Sequence, residues 1–379
     1  MDACDVVIVG AGPAGSTCAR DLRRRGVDVV LIDKARFPRD KVCAGWITPG
    51  VIDALQLNVE EYRQQRTLEA ITGFRIGVIG DAAMCDVDYG RPVSYAIRRS
   101  EFDQYLVDCA GGARTGEHVR TIERRGGRWI VNDAIAAPML VGAGGHRCPV
   151  ARIVDDGREH SPVVAAAEIE VDVRGDGSNV VRDRPELFLA RDLAGYGWCI
   201  RKGDYVNAGF GRVGGHTLEH EASEFLRFLR QTGRLPADCA QALRAHAYGL
   251  APFHRSLVTN GALLVGDAAS LAHRLSGEGI GPAVESARFA ADAIVAADGD
   301  YRSERLQPYA DAIEQRFGLT RSDRLTAFAV SSRLWTAAVR HLVTRPWFAR
   351  HIVLDRWFLQ RHERRRQRCP DRLHVTGTA

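Results

Sequence analysis

The chain has 379 residues, of which 45% are hydrophobic and 26% are charged, and its formal net charge is +5. This composition can bury one large core or two modest ones, which excludes a disordered or fibrous protein. The positive excess is concentrated in the run RHERRRQRC at residues 361–369, and such a local run argues against a general nucleic-acid-binding surface.

The cysteines indicate a reducing environment. Nine of them occur at irregular spacing, without a Cys-x-x-Cys pair or a zinc-like Cys/His cluster, so we predict neither a disulfide framework nor a metal site. The N-terminal sequence MDACDVVIVGAGPAG lacks the positive lead of a signal peptide. No stretch approaches the roughly 18 uninterrupted apolar residues of a membrane span. We therefore expect a cytoplasmic protein.

The N-terminal segment has the pattern of a dinucleotide-binding unit. DVVIVG at residues 5–10 predicts a strand buried in a parallel sheet, and Gly10, Gly12 and Gly15 follow in GxGxxG spacing before an amphipathic helix. A second strand, VDVVLIDK, ends near Asp33. The glycines allow backbone amides to approach a pyrophosphate, and the acid can accept a hydrogen bond from a ribose hydroxyl. The ligand indicated is FAD or NAD.

A second pattern, far downstream, favours FAD. In residues 260–294 a strand delivers Gly266 and Asp267, and SGEGIGPA then opens a long helix. This resembles the GDAA and GEGI motif of the FAD-dependent oxidoreductases that include geranylgeranyl reductases, flavin hydroxylases and flavin-dependent halogenases. The resemblance implies that Asp267 holds the ribityl chain. It also implies that the helix start at Gly279 to Gly281 points at the flavin pyrimidine edge, where its partial positive charge stabilises reduced flavin.

Three further segments extend the resemblance to about three quarters of the chain. They are IRRSEFDQYL at 97–106, LVGAGGHRCPVAR at 140–152 and GYGWCIRKGDYVNAGFG at 195–211, the last of which is similar to a strand pair of geranylgeranyl-reductase-like proteins. The implied fold is α/β, with a Rossmann-type, glutathione-reductase-like FAD-binding domain, an antiparallel β-sheet substrate domain and a C-terminal helical region. Alternating apolar and polar residues between 161 and 249 agree with such a sheet.

The resemblance also gives domain limits and a set of FAD contacts. The FAD-binding domain would comprise 1–70, 95–160 and 250–300, the substrate domain 71–94 and 161–249, and the helical region 301–379. The implied contacts with FAD are Gly10, Gly12, Pro13, Ala14, Gly15, Asp33, Lys34, Lys41, Cys43, Ala44, Arg99, Gly266, Asp267, Gly277, Gly279, Ile280 and Gly281.

The segment FPRDKVCAGW, at residues 37–46, would wrap over the cofactor. Geranylgeranyl reductases carry P-x-x-K-x-C-G-G here, which Lys41 and Cys43 match, whereas halogenases carry a different segment. Cys43 could donate a proton beside the carbon that receives hydride, or it could be a small packing residue. Lys41 is interpreted as a phosphate or surface contact, and Trp46 either packs or lines the substrate cavity.

Several residues depart from the family pattern or have two alternative roles. Arg201 and Arg274 each replace a proline, so we predict that both reach the cavity. There they face an anionic group of the substrate, or Arg274 acts in catalysis by stabilising charge on flavin or oxygen. The alternative is that both arginines reach solvent or pair with acids. His273 is a candidate acid or base, although it can equally be an ordinary loop residue. Tyr196 and Trp198 share one strand face and either line the cavity or belong to the core.

The C-terminal third predicts helices, interrupted at Pro346. Its aromatic residues are interleaved with arginines; they are Trp335, Trp347, Phe348, Trp357 and Phe358. Such a helix can lie on an anionic membrane, at the inner face for a cytoplasmic protein, or pack its aromatics on its own domain.

The function predicted from these features is FAD-dependent reduction of a double bond in an apolar, prenyl-like or lipid-like substrate. NADPH or NADH is a possible electron donor. Gly144 stands where flavin hydroxylases have an aspartate, which weakens the case for their usual NADPH route. The alternatives are a flavin monooxygenase acting on a lipid, polyketide or other secondary metabolite, and a non-catalytic flavin or lipid carrier.

Overall fold

The computed structural model describes residues 1–155, 163–174, 177–214, 217–239, 241–251, 256–318 and 333–359, with the backbone alone for 333–337. Its first layer is a six-stranded sheet in which all neighbouring strands are parallel except one edge pair. In spatial order the strands are Val258–Thr259, Ala262–Leu264, Met139–Gly142, Val6–Val9, Val29–Asp33 and Arg114–Thr115. The predicted parallel strand at the N-terminus is thus confirmed, and all four of its residues are buried.

Both faces of this sheet are covered, which explains its uninterrupted apolar strands. On one face the helices Pro13–Arg23 and Ile280–Ala297 pack through small residues such as Ala19 and Ala287, with the helix Ser303–Phe317 beside them. On the other face lies a four-stranded sheet. Its strands are, in order, Asp2–Ala3, Ile135–Ala137, Arg128–Val131 and Ile122–Arg125. This is the α/β, Rossmann-type domain that the sequence predicts.

The second large layer is a seven-stranded sheet. In spatial order its strands are Arg244–Gly249, Val163–Asp172, Tyr205–Val213, Gly195–Lys202, Glu186–Leu189, Gly73–Val78 and Met84–Asp88. The sequence predicts an antiparallel sheet, and the strands are antiparallel except that Glu186–Leu189 runs parallel to Gly73–Val78. The domain limits given above stay a prediction.

The two faces of the seven-stranded sheet are used differently. Because side chains alternate along a strand, Cys199 and Phe210 point to one face, where they pack against Phe225 of the helix Leu218–Gln231. Trp198 points to the opposite face, toward the six-stranded sheet and the C-terminal segment. That opposite face forms one wall of the cavity described below.

The remaining elements connect these layers. A three-stranded antiparallel sheet has the order Trp46–Ile47, Ser94–Ile97 and Leu68–Ile71. The other helices are Pro49–Leu55, Val59–Gln65, Arg99–Cys109, Ala151–Val154, Arg333–Leu342 and Pro346–Phe348, with a 3₁₀ turn at Gly266–Ala269 and a π-helical segment at Ala349–Phe358.

The C-terminal helical region is confirmed, and Pro346 interrupts it as predicted. The helix Arg333–Leu342 ends before this proline, which occupies the first turn of the next helical segment. Phe348, Trp357 and Phe358 are buried against the seven-stranded sheet, whereas Trp347 is 67% exposed. The run at 361–369 lies outside the described residues. Within the described residues, no helix combines the length and apolar character that crossing a membrane requires.

Candidate active site

A cavity of about 430 Å³ lies between the glycine turn of the six-stranded sheet and the seven-stranded sheet. At one end it is lined by Gly12, Pro13 and Ala14, and farther along by Asp267 and Gly279. The two motifs that the sequence assigns to FAD therefore open into one space. Which individual residues contact FAD stays a prediction.

At the first end, close backbone packing depends on glycine. Gly10 has φ +108°, and a Cβ there would overlap the carbonyl of Ala143. A Cβ at Gly15 would overlap the Gly10 carbonyl. Neither of these two glycines lines the cavity; they permit the helix Pro13–Arg23 to begin close to the strand end. The amides of that first turn are therefore aimed at the cavity, as a bound pyrophosphate requires.

Asp33 forms the neighbouring part of this end. Its carboxylate accepts hydrogen bonds from the amides of Ala11 at 2.7 Å and Ala35 at 2.8 Å. These bonds fix the carboxylate at the tip of its strand, where it lines the cavity together with Lys34. A carboxylate held in this way keeps further acceptor positions for a ribose hydroxyl.

The second end is formed where the strand Ala262–Leu264 meets the 3₁₀ turn. Gly266 has φ +59° and passes between Ala14 and Ala283, so it joins the two helix starts without lining the cavity. Asp267 follows it, and burial raises the pKa of this carboxyl, an effect opposed by Lys41 and Arg99. Its oxygen would lie only 3.1 Å from a Cβ at Gly279, so glycine leaves that carboxylate accessible.

The long helix Ile280–Ala297 begins at this second end. Its N-cap is Gly279, and within the described chain no side chain caps it. Gly277 and Ile280 line the cavity, whereas Gly281 lies against Glu278. The positive end of the helix dipole therefore faces the cavity, where it would stabilise an anion.

A buried cluster of ion pairs contributes two arginines to the cavity wall. Arg99 donates two hydrogen bonds of 2.8 Å to Asp103, which is fully buried, and Arg39 pairs with the same carboxylate at 3.0 Å. Burial disfavours the charged form of Arg99, but Asp103 and the Cys43 thiol more than offset this and raise its pKa. Arg39 and Arg99 both line the cavity, so two fixed cations face it.

Lys41 adds a third cation to this wall. Burial, and then the neighbouring Arg99, lower its pKa to about 8, although Asp267 acts in the opposite direction. A lysine with this pKa exchanges its proton close to neutral pH. A ligand that brings negative charge to this place would restore the full positive charge of Lys41.

The thiol of Cys43 lies in the same cavity wall, next to Ala44. Its sulfur accepts a hydrogen bond from the Gly45 amide at 3.4 Å, and its interaction with Arg99 raises the pKa of that guanidinium. The backbone amide of Cys43 donates to the Glu168 carboxylate at 2.8 Å. The thiol is therefore held at a defined place beside a cation.

An aromatic group encloses the far part of the cavity. Its members, which all line the space, are Trp46, Tyr196, Trp198, Tyr248 and Phe358. Of the two alternatives for Tyr196 and Trp198, the structure thus supports cavity lining, and it does the same for Trp46. The Tyr196 hydroxyl donates to the Ser276 carbonyl at 2.5 Å, and burial raises its pKa.

Three polar atoms in the cavity wall are buried and have no hydrogen-bond partner among the described residues. They are Trp46 Nε1, Thr48 Oγ1 and His246 Nε2. Burial, followed by the charges of Lys41 and Arg99, lowers the pKa of His246 to about 3, so this imidazole is neutral at pH 7. Unpartnered donors and acceptors are costly inside a protein. A polar cofactor that completes these hydrogen bonds fits the cavity.

Three of the predicted site residues lie outside the cavity lining. Arg201 is on the opposite strand face from Trp198, and its guanidinium donates to the carbonyls of Gly203 and Ser178, so the structure places it away from the cavity. Arg274 is also absent from the lining, and its side chain is exposed. His273 also lies outside the lining, where its Nδ1 is 3.1 Å from Ser276 Oγ.

Several lining residues were missed by sequence reasoning. Arg39 lies in the segment at 37–46 but was given no role there, His246 and Tyr248 belong to no motif used above, and Phe358 was read only as part of a basic helix. Strand alternation could have found His246 and Tyr248, since both share a face of the strand Arg244–Gly249. Among the described residues, no group of three or more His, Cys, Asp or Glu residues is arranged to hold a metal ion.

Comparison with protein families agrees with this geometry. Residues 5–87 match a family model described as FAD dependent oxidoreductase. The chain is 31% identical over 343 residues to menaquinone reductase of Mycobacterium tuberculosis, with 78% of each chain covered. It is 29% identical over 342 residues to digeranylgeranylglycerophospholipid reductase 3 of Methanosphaera stadtmanae, with 83% of each covered.

Solved structures share the fold. A geranylgeranyl bacteriochlorophyll reductase-like protein from Thermoplasma acidophilum superposes with a TM-score of 0.77 at 21% identity, covering 91% of this chain and 92% of the other. A mutant of the halogenase PltM in complex with FAD gives a TM-score of 0.71 at 16% identity, covering 96% and 83%.

Proposed function

Because this chain belongs to the geranylgeranyl reductase family of FAD-dependent oxidoreductases, we propose that it reduces a carbon–carbon double bond in a prenyl-like or lipid-like substrate. The observation that carries this proposal is the continuity of one cavity, in which an aromatic enclosure adjoins the glycine turn and Asp267. An apolar chain can desolvate against such rings.

FAD would be held by the residues at the two ends of the cavity. The first-turn amides beside Gly12 and the guanidinium of Arg39 suit the pyrophosphate, Asp33 suits the adenosine ribose, and Asp267 suits the ribityl hydroxyls. The start of the helix after Gly279 suits the anionic edge of the reduced ring. When bound, reduced FAD supplies the hydride for the double bond.

Cys43 is proposed as the proton donor. Saturating a double bond requires a hydride on one carbon and a proton on its neighbour. The thiol S–H bond breaks as the new C–H bond forms, which leaves a thiolate beside the Arg99 guanidinium, and that cation stabilises the negative charge. Solvent then returns the proton to sulfur. Packing alone remains the alternative role, and a Cys43→Ser variant separates the two.

The proposed substrate is apolar and needs no anionic group. The expectation of such a group depended on Arg201 and Arg274, both of which lie outside the cavity lining. The cations that do face the cavity, among them Arg39 and Lys41, are themselves proposed contacts with FAD. The electron donor proposed for the reaction is NADPH or NADH.

A membrane-facing role for the C-terminal segment forms part of the same proposal, at the inner face of a cell membrane. Trp347 is exposed next to Arg345, while the adjoining Phe348 is buried. An exposed indole with nearby arginines suits an interface of anionic lipid, where prenyl substrates are found.

The test uses purified protein loaded with FAD and reduced without oxygen by dithionite. It is mixed with a digeranylgeranyl lipid or with menaquinone, and flavin reoxidation is followed by absorbance while mass spectrometry examines the product. We expect the product to gain two hydrogens per reduced bond. Addition of an oxygen atom in air, with a hydroperoxyflavin absorption, would instead identify a monooxygenase. Flavin that no reductant bleaches would identify a carrier.

A further inference from the structure

One buried carboxylate in the seven-stranded sheet reaches the loop that carries the thiol. Glu168, on the strand Val163–Asp172, is 1% exposed, and its Oε2 accepts the hydrogen bond from the Cys43 amide at 2.8 Å. Cys43 and Glu168 are 125 residues apart in sequence. A buried carboxylate is costly unless it has partners, so this contact is a specific link between the sheet and the loop.

The same carboxylate is connected to the aromatic enclosure through one amide side chain. Trp198 Nε1 donates to Asn207 Oδ1 at 2.7 Å. Since that oxygen is the acceptor, the NH₂ group of Asn207 remains for Glu168, and its interaction with this carboxyl lowers the pKa of Glu168. The chain of bonds therefore runs from an indole of the cavity wall, through Asn207 and Glu168, to the backbone of Cys43.

Two further contacts fix the loop beyond Cys43. The Gly45 carbonyl accepts a 2.7 Å hydrogen bond from the Ile97 amide. Gly45 has φ +65°, and a Cβ there would overlap both the Ile97 carbonyl and the ammonium group of the buried Lys202. The loop is thus held on both sides of the thiol, with Glu168 as the side-chain anchor at Cys43.

We propose that Glu168 is a positioning residue that sets the place of the Cys43 thiol relative to Trp198. The mechanistic meaning of this inference rests on the proposed function, in which that thiol protonates the substrate. Its physical content, the position and accessibility of the thiol, can be measured independently.

The surroundings of Glu168 make its hydrogen bond with the Cys43 amide dependent on pH. Burial raises its pKa to about 7, while Lys202, the hydrogen bonds from Asn207 and Cys43, and Arg244 at 3.8 Å act in the opposite direction. Glu170, on the same strand face, pairs with Lys202 at 3.1 Å. Above pH 7 the ionised carboxylate accepts both hydrogen bonds, and below it the protonated form presents one acceptor fewer.

The test measures alkylation of Cys43 by iodoacetamide in the FAD-loaded protein, with the Cys43 peptide quantified by mass spectrometry and the exposed Cys109 as internal standard. In Glu168→Gln the volume is kept but a single oxygen remains to accept two donors. We expect alkylation of Cys43 at pH 8.5 to increase about tenfold, the size of effect that follows loss of a hydrogen bond to a charged group. At pH 5.5 we expect the variant and the parent to differ by less than about twofold, since Glu168 is then protonated in the parent.

The matched control is Glu186→Gln. Glu186 is a buried carboxylate on another strand of the same sheet that pairs with Arg234 and Arg75, without a contact to the Cys43 loop among the described residues. The Glu186→Gln substitution should leave the alkylation rate of Cys43 unchanged. If Glu168→Gln does not fold, Glu168→Asp, which withdraws the carboxylate by one methylene, is expected to show the same increase at pH 8.5.

An unchanged alkylation rate in a folded Glu168 variant, or an equal increase in Glu186→Gln, would overturn the inference. Failure of the parent enzyme to reduce any prenyl substrate would overturn the proposed function alone. The alkylation comparison would still decide whether Glu168 sets the position of the Cys43 thiol.

Discussion

The indole of Trp46 lies almost parallel to the ring of Phe358, with 5.9 Å between the ring centroids and 7° between the planes. Tyr196 meets the same phenyl ring edge to face at 5.0 Å. Phe358 comes from the C-terminal segment, whereas Trp46 begins the short strand that follows the loop carrying Cys43. The C-terminal segment therefore completes the aromatic enclosure.

Phe358→Ala should weaken substrate binding and protein stability together. Truncating a buried phenylalanine costs about 3 kcal/mol or more of the free energy of unfolding, and Phe358 is buried. Loss of the aromatic wall should raise KM for an apolar substrate about tenfold with a smaller change in kcat. Steady-state kinetics and denaturant unfolding measure the two effects.

The matched control for this variant is Phe348→Ala. Phe348 is buried in the same C-terminal segment but does not line the cavity. Phe348→Ala should lower the free energy of unfolding by a similar amount without raising KM. A similar rise in KM in both variants would mean that the segment acts through stability rather than through contact with the substrate.

Lys41 should make FAD affinity dependent on pH. In the FAD-free site its pKa is lowered to about 8, first by burial and then by Arg99. A bound pyrophosphate raises that pKa, so the contribution of Lys41 is fully present below pH 8 and is lost as pH rises above it. We expect the affinity to fall by up to about tenfold per pH unit above pH 8, until the pKa of the complex is reached.

Fluorescence titration with FAD between pH 6 and pH 10 measures this dependence. Lys41→Gln should bind FAD more weakly below pH 8 and lose the slope, whereas Lys34→Gln, at another lining position, should keep it. A slope that persists in Lys41→Gln would assign the titration to a different group.

The parts of the site that sequence alone could find are those in which local backbone geometry demands a residue type. Gly10 is required because its φ is positive and because a Cβ would meet Ala143. Asp33 and Asp267 stand at fixed offsets from such glycines, at strand ends that meet one edge of the sheet. These constraints are local, so they leave a readable spacing.

The residues that sequence reasoning missed are placed by tertiary packing. Phe358 reaches the cavity because the C-terminal segment packs on the seven-stranded sheet, and no short-range pattern specifies that contact. Arg201 was assigned to the cavity by comparison with a proline position. The two-residue alternation of its strand, which places it opposite Trp198, should have taken precedence.

Gly277 and Tyr248 should show strong energetic coupling. Gly277 has φ +67°, and a Cβ there would overlap the Tyr248 hydroxyl but would lie 3.3 Å from its ring carbon Cζ. Gly277→Ala should therefore shift the loop at the helix start and weaken FAD binding, and Tyr248→Phe should partly restore it by removing the oxygen. We expect a coupling free energy of about 1 to 3 kcal/mol between the two sites.

A double-mutant cycle on FAD affinity measures this coupling. The backbone strain of alanine at positive φ remains in both Gly277→Ala proteins, so only the steric part should recover. Gly112→Ala, which has a similar φ of +91° and open space around it, is the control for strain without overlap. Additive effects of the two substitutions would show that the loop accommodates the Cβ by another movement.

Trp347 should contribute to binding of anionic membranes. Its side chain is 67% exposed, although the aromatic residue beside it, Phe348, is buried. Trp347→Ala should weaken co-sedimentation with phosphatidylglycerol vesicles about tenfold, because an inserted indole removes apolar surface from water. Val213→Ala, which truncates a side chain that is 45% exposed on another element, should bind as the parent does. If the parent protein does not sediment with these vesicles at low ionic strength, where electrostatic attraction is strongest, the exposed indole has a role other than membrane contact.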